Sequence, residues 1–299
     1  MKALHRFLVP AFLFLTGPAV SQDSNFKLAV NVDLVELHVT VVDAKDRPVG
    51  GLRQEHFQIL EDRVPQPISV FKHEDIPVSI GLVIDNSRSI EARKARLDAA
   101  AVSFLQQSNA TDEAFIVHFD FDARLAHPFT SDVNDLQKTL ASVKPYGQTA
   151  MYDAVILALD EMEKAQYAKK AILLITDGID NVSKATLEEV VERVKRSRVA
   201  VYSVGLLSES EGQKAEDDLI RVAEASGGKA YFPENVDQAH TMMQGIARDL
   251  REQYTLGYFP TNVTRSGAWR SVRVEVSPPP GYPPQLNTNY RHGYYGPEN

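Results

Sequence analysis

The sequence contains no cysteine. That excludes a disulfide framework, a thiolate metal site and a lipid-modified cysteine. It has no cluster of lysine and arginine, and 40 acidic residues stand against 32 basic ones, a formal charge of −8. An acidic chain without a basic stripe argues against nucleic acid as the main partner. After the first 21 residues no run is long and apolar enough to cross a membrane. No GxSxG elbow, P-loop or HExxH is present, so the common hydrolase and phosphate-binding signatures are missing. What is there is 43% hydrophobic and 24% charged over 299 residues. That is the composition of a folded chain, with room for one large or two modest domains.

Residues 1–21 read as an export signal. Lys2 and Arg6 give a positive start, "FLVPAFLFLTG" an apolar core, and "AVS" at 19–21 a small-residue cleavage site. The apolar run is short for a membrane anchor, and the expected mature chain starts near Gln22 with no stable membrane span. The expected location is outside the cytoplasm, periplasmic or extracellular. The expected stability source is the core, or a metal, since no disulfide is available.

Residues 27–76 form an N-terminal β segment in this reading. "LVELHVTVVD" (34–43) alternates apolar and polar residues with period two. The pattern changes near Pro77. "PVSIGLVID" is a continuous apolar run, as in a strand buried on both faces. Helical and strand patterns then alternate over 77–252, with helices expected at 91–108, 132–143, 151–165, 186–197, 215–228 and 236–254. Such alternation predicts an α/β fold with a doubly wound, mostly parallel sheet and helices on both faces. Strand character returns over 253–295, in "YTLGYFP" and "WRSVRVEVS". Neither flank has enough strands to stand alone. The expectation is that 253–295 pairs with 27–76 into one β-sandwich, with the α/β domain inserted between them. Two separate β appendages are the alternative.

The chemistry concentrates at "LVIDNSRSI" (82–90). A buried-looking strand ends in Asp85, and Ser87 and Ser89 follow at alternate positions. A helix cap needs one such side chain, not three. "YGQTAMYD" puts Thr149 in a glycine-containing loop before a helix, and "LLITDG" ends another buried strand in Asp177. Ligands of such sheets bind beyond the carboxyl ends of the strands, so three loops deliver oxygens to one rim. Hard oxygen donors without His or Cys suit Mg²⁺, Mn²⁺ or Ca²⁺. Two carboxylates and two or three neutral hydroxyls do not saturate a divalent ion. One position is left for water or for an incoming Asp or Glu carboxylate.

Asp85-x-Ser87-x-Ser89, then Thr149, then Asp177 in "TDG", resembles the metal-ion-dependent adhesion site of von Willebrand factor A-type domains. The resemblance covers about residues 77–252. It implies that Ser87 and Ser89 ligate the ion directly and that Thr149 does so directly or through water. Asp85 and Asp177 would act through water or from just outside the coordination sphere. It implies a protein ligand offering a carboxylate, and coupling to movement of the last helix (236–254). Gln148 departs from the family pattern, which has a small glycine before the threonine. The flanking β segments, with the phrase "LGYFP", resemble an exported bacterial branch of the family. The insertion in a sandwich is similar to integrin β subunits.

The expected function is therefore a metal-dependent protein-binding module for adhesion or complex assembly, and not an enzyme. Two alternatives are a metal-dependent hydrolase on the same rim and a structural domain with a purely stabilising metal. The hydrolase lacks a His or Glu placed by motif as general base. A phosphoryl-transfer enzyme of the haloacid-dehalogenase type would need an acid two residues after Asp85, where Ser87 stands. Asp120 and Asp122 read as a turn acid and a solvated acid, and His118 and His127 as packing or surface residues. Asp153 reads as a helix cap or as an outer support of the site. Asp180 and Asn181 read as ordinary loop residues, and the tyrosines between 282 and 295 as a sandwich edge.

Overall fold

The computed structural model describes residues 34–107, 109–207, 212–264 and 266–298. The expected export signal lies outside them. Four strands come first: β1 (Val35–Asp43), β2 (Phe57–Glu61), β3 (Val64–Gln66) and β4 (Ile68–Lys72). The α/β part follows as β5 (Val78–Asp85), α1 (Lys94–Gln106), β6 (Glu113–Phe119), β7 (Ala123–Thr130), α2 (Val133–Ser142) and α3 (Met151–Met162). It continues through β8 (Lys169–Thr176), α4 (Leu187–Arg196), β9 (Val199–Gly205), α5 (Gly212–Ser226), β10 (Ala230–Tyr231) and α6 (Val236–Arg251). Four more strands complete the order: β11 (Tyr254–Tyr258), β12 (Trp269–Val276), β13 (Leu286–Asn289) and β14 (Gly293–Tyr295).

The central sheet runs β10-β9-β8-β5-β6-β7. All neighbours are parallel except β7, which returns antiparallel to β6. Every residue of β5 and β6 is buried. That is why their sequences are mostly apolar rather than alternating. Ile80, Leu82 and Ile84 of β5 face a core built with Leu97, Phe104, Met243 and Ile246 of α1 and α6. Val83 faces the other core, with Phe115, Val117, Val155 and Leu159. Two helical layers thus cover the sheet, as the alternation of elements predicts.

The helix ends follow local chemistry. Asp132 caps α2 as expected, its carboxylate accepting from the backbone N–H of Asn134 at 2.8 Å. Thr186 and Glu189 form a capping box at α4. Helix α1 begins at Lys94, later than its sequence pattern suggests. Residues 86–93 are committed instead to a short 3₁₀ turn and to the rim described below.

Strands from both flanks build two antiparallel sheets, ordered β13-β1-β11-β4 and β14-β12-β2-β3. In the first, β1 pairs with β11 from Val35↔Tyr258 to Val39↔Tyr254. In the second, β12 pairs with β2 from Val272↔Glu61 to Val276↔Phe57. Leu37, Val39, Ile59, Leu256, Tyr258 and Val274 belong to one shared core. Glu61 is buried inside it and accepts from Tyr258, Tyr294 and Arg270. The tyrosine-rich end of the chain thus does serve the sandwich. Helix α6 runs almost directly into β11. The buried Gln253 between them donates to Thr40 of β1 and Tyr202 of β9, each at 3.2 Å.

Candidate metal centre

The order of the central sheet fixes where a ligand can sit. The chain leaves β5 toward β6 on one side, while β8 lies on the other side. That reversal opens a crevice at the carboxyl ends of β5 and β8. Asp85 ends β5, Thr176 ends β8 and Asp177 follows it directly. The parallel register pairs Ile84 with Ile175, so Asp85 and Thr176 come side by side. The Thr176 hydroxyl donates to Asp85 Oδ2 at 2.6 Å, and the Ser87 N–H donates to Asp85 Oδ1 at 2.7 Å. Both carboxylate oxygens of Asp85 therefore serve the floor of the crevice.

The two serines complete a chain of contacts. Ser87 Oγ lies 2.9 Å from Ser89 Oγ, and the Ser89 hydroxyl donates to Asp177 Oδ1 at 2.7 Å. Asp177 Oδ2 accepts from Arg93 Nη1 at 2.9 Å. Arg93 is the residue before α1, and its side chain makes no helix cap. It reaches over the rim instead, and also touches Leu206 O at 3.3 Å.

Thr149 arrives from the third loop. Its backbone N–H donates to Asn181 Oδ1 at 3.0 Å, just beyond Asp177. A Cβ built on Gly178 would lie 3.6 Å from Thr149 Oγ1, in ordinary van der Waals contact, so the two loops pack side by side. Backbone bonds stitch the loops together: Tyr146 N–H to Asn86 O at 2.7 Å, Asn86 N–H to Phe119 O at 2.7 Å and Ala150 N–H to Asp120 O at 2.9 Å. Gly147 makes the turn before Thr149 with φ +84°, and the Phe121 ring packs where its Cβ would be. Gln148 is exposed beside it.

Asp85, Ser87, Thr149 and Asp177 are all buried, at 0%, 2%, 4% and 1% exposure. Burial pushes the Asp85 carboxyl up to about 6. The neighbouring charge of Asp177 adds to that, while the hydrogen bonds from Thr176 and Ser87 oppose it. Two close, dry carboxylates facing hydroxyls are a donor set that a hard cation would stabilise. Among the described residues no group of three or more His, Cys, Asp or Glu side chains could hold an ion. A metal here would draw on hydroxyl oxygens beside the two carboxylates.

Several residues read as bland loop chemistry have definite work at the rim. Asn181 holds Thr149. Asp180 accepts from the Tyr152 N–H at 2.9 Å and from the Ser183 hydroxyl at 2.5 Å. Asp153 does not cap its helix. It accepts from the backbone N–H of Lys184 and Ala185, at 3.0 and 2.9 Å, and so ties the loop after Asp177 to α3. Asp120 is buried and pairs with Arg124, while Asp122 is exposed, as their turn position suggests. His118 is buried against Asn86, and burial pushes its imidazole down to about 3. Phe121 and Tyr146 pack edge to face with centroids 5.6 Å apart, and both stay largely exposed beside the rim.

Residues 80–179 match the family model described as von Willebrand factor type A domain. The match spans the crevice from β5 to the residues after Asp177. Over 178 residues the chain is 27% identical to calcium-activated chloride channel regulator 4 of Homo sapiens, covering 56% of this chain and 18% of that protein. Over 248 residues it is 24% identical to inter-alpha-trypsin inhibitor heavy chain H4 of Bos taurus, covering 77% of this chain and 26% of that protein. The chain thus spans well under half the length of these two curated relatives. Among solved structures it is similar to proximal thread matrix protein 1 from the mussel byssus, determined with a zinc-occupied MIDAS motif. That likeness has a TM-score of 0.52 at 20% identity and covers 62% of this chain and 48% of the other. The α/β part therefore has a von Willebrand factor A-like fold, with additional antiparallel sheets formed by the two flanks. No helix among the described residues is long and apolar enough to cross a membrane.

Proposed function

We propose that the chain is an exported, divalent-metal-dependent protein-binding module that acts in adhesion or complex assembly. Ser87, Ser89 and Thr149 would offer their hydroxyls to Mg²⁺, Mn²⁺ or Ca²⁺, with Asp85 and Asp177 balancing its charge. The observation that carries this reading is the contact chain Ser87–Ser89–Asp177, at 2.9 and 2.7 Å, which joins oxygens from two strand ends. The mussel byssus protein, whose printed title places zinc in its MIDAS motif, supports the choice of a divalent ion.

A bound ion would supply an electrophilic position that a partner's Asp or Glu carboxylate can fill. The chain's own residues do the rest. Asp85 fixes the backbone of the serine turn through Ser87 N–H. Asn181 fixes the backbone of Thr149. Phe121 and Tyr146 offer an apolar shelf where a partner's side chains would settle around the carboxylate. Helix α6 leads into β11 of the sandwich, so a shift of that helix on binding would be felt there.

The test is calorimetric titration of the protein with each of the three ions, beside Asp85→Ala and Ser87→Ala. Saturable binding by wild type, lost in both variants while circular dichroism is unchanged, is the expected result. Repeating the titration with a short acidic peptide should raise the apparent ion affinity. Silence from wild type with the peptide present would end the proposal.

A further inference from the structure

A cavity of about 610 Å³ lies at the opposite end of the sheet from the rim, where β8 and β9 begin. Its size is that of a small-molecule site. Its charge is out of keeping with the acidic chain around it. Among the described residues Lys169, Lys170, Arg193, Arg196, Arg198 and Arg291 line it, against only Glu36 and Glu163.

Two of these cations have partners of their own. Arg193 pairs with Asp160, and Arg196 stacks on the Tyr295 ring at 4.1 Å. Three others spend their hydrogen bonds on neutral carbonyls. Lys169 donates to Leu250 O, Lys170 to Met162 O at 2.8 Å, and Arg291 to Gly293 O and Lys195 O at 3.0 and 3.1 Å. Lys170 thereby sits at the C-terminal end of α3, where a cation is favoured by the helix dipole. Lys169 and Arg291 reach helix ends as well, because Leu250 lies in the last turn of α6 and Lys195 in the last turn of α4. Burial and the nearby Arg251 push the Lys169 ammonium down to about 8, against the opposing pull of Asp75 and Asp112. Burial and Arg198 push the Arg291 guanidinium down to about 10. The lining still carries six cations against two carboxylates, an imbalance that a bound anion would offset. The rest of the wall is apolar, with Leu159, Met162 and Val194.

We propose that this cavity binds a small multivalent oxyanion, an organic phosphate or a polycarboxylate, with Lys169, Lys170, Arg198 and Arg291 as its counter-charges. The guanidinium groups suit the paired oxygens of such a ligand, and the apolar wall suits an organic body attached to it. Because β1 and Arg291 belong to the sandwich and the rest to the α/β part, a bound anion would touch both. It would also touch the end of α6 at Leu250. The proposal does not depend on a metal at the rim.

The test is titration of the full chain with sodium pyrophosphate and with citrate, in metal-free buffer of matched ionic strength. We expect saturable single-site binding of at least one of them and a rise in melting temperature. Pyrophosphate alone would assign a phosphate ligand, and citrate alone a polycarboxylate. The double variant Lys170→Gln, Arg198→Gln keeps the buried Lys169 and should weaken binding about tenfold or more. Ser87→Ala should leave it unchanged. No saturable binding of either anion by wild type, or equal affinity in the double variant, would overturn the assignment.

Discussion

Arg93 Nη1 lies 2.9 Å from Asp177 Oδ2, while the other oxygen of the same carboxylate receives the Ser89 hydroxyl. A guanidinium thus stands where it shares Asp177 with any cation that the rim holds. Its side chain is 39% exposed, so the pair contributes ~1 kcal/mol at most. Arg93→Gln should therefore tighten Mg²⁺ binding, by about fivefold. Titration of the variant checks this. Weaker binding would instead make Arg93 a support of the rim.

Gly147 is the second test of the rim. Its φ of +84° and the Phe121 ring 2.5 Å from its missing Cβ both oppose a side chain. Gly147→Ala should cost ~1–3 kcal/mol of stability and weaken ion binding, because Thr149 is two residues on. Adding Phe121→Ala removes the collision but not the backbone strain. It should return part of the melting temperature, and a full return would mean that the backbone strain is negligible.

The sandwich makes its own prediction. Arg270 Nη1 lies 3.3 Å from Glu61 Oε1, and both side chains are almost wholly buried. Arg270→Met leaves the Glu61 carboxylate dry and without its cation, which costs ~3–5 kcal/mol. The double variant Arg270→Met, Glu61→Leu removes both charges and should recover much of that loss. Urea unfolding of the three proteins measures the coupling. Equal stability of single and double variants would show that the charge pair does not matter.

His38 sets a pH dependence. Burial, with Lys169 nearby, pushes its imidazole from 6.5 down to about 4. Between those values the unfolded chain takes up a proton that the folded chain refuses. Stability present at pH 7 is therefore lost as pH falls through 6.5 toward 4, by up to ~3 kcal/mol from this group. Asp249 works the other way, since burial raises its carboxyl to about 6 and the folded chain gains a proton there first. The difference between wild type and His38→Gln isolates the histidine. It should shrink steadily between pH 6.5 and 4, and a constant difference would refute the assignment.

Some of this architecture can be seen in the residues themselves. Asp85 and Asp177 stand out because each interrupts an apolar run at the point where a buried strand must stop. Ser87 and Ser89 stand out because one cap cannot use them both. Asn181, Asp180 and Asp153 do not stand out. Their work is to accept from backbone N–H groups of other loops, and such bonds leave no periodicity to read. Arg93 looks like one more charge on the polar face of α1, and only the turn at 88–90 swings it onto Asp177. The cationic cavity is hidden for the same reason. Its residues lie on six separate stretches from Glu36 to Arg291, and no window of sequence contains them.

One consequence follows from how the chain enters and leaves the α/β part. It enters after β4 and leaves into β11, and those two strands are hydrogen-bonded neighbours, with Thr255 opposite Lys72. A pull on the rim therefore reaches the sandwich through two tethers side by side rather than through one. The load is divided between them and runs along both strands from the same end. Neither tether can be drawn out alone without sliding past the other, so the attachment resists force as a pair.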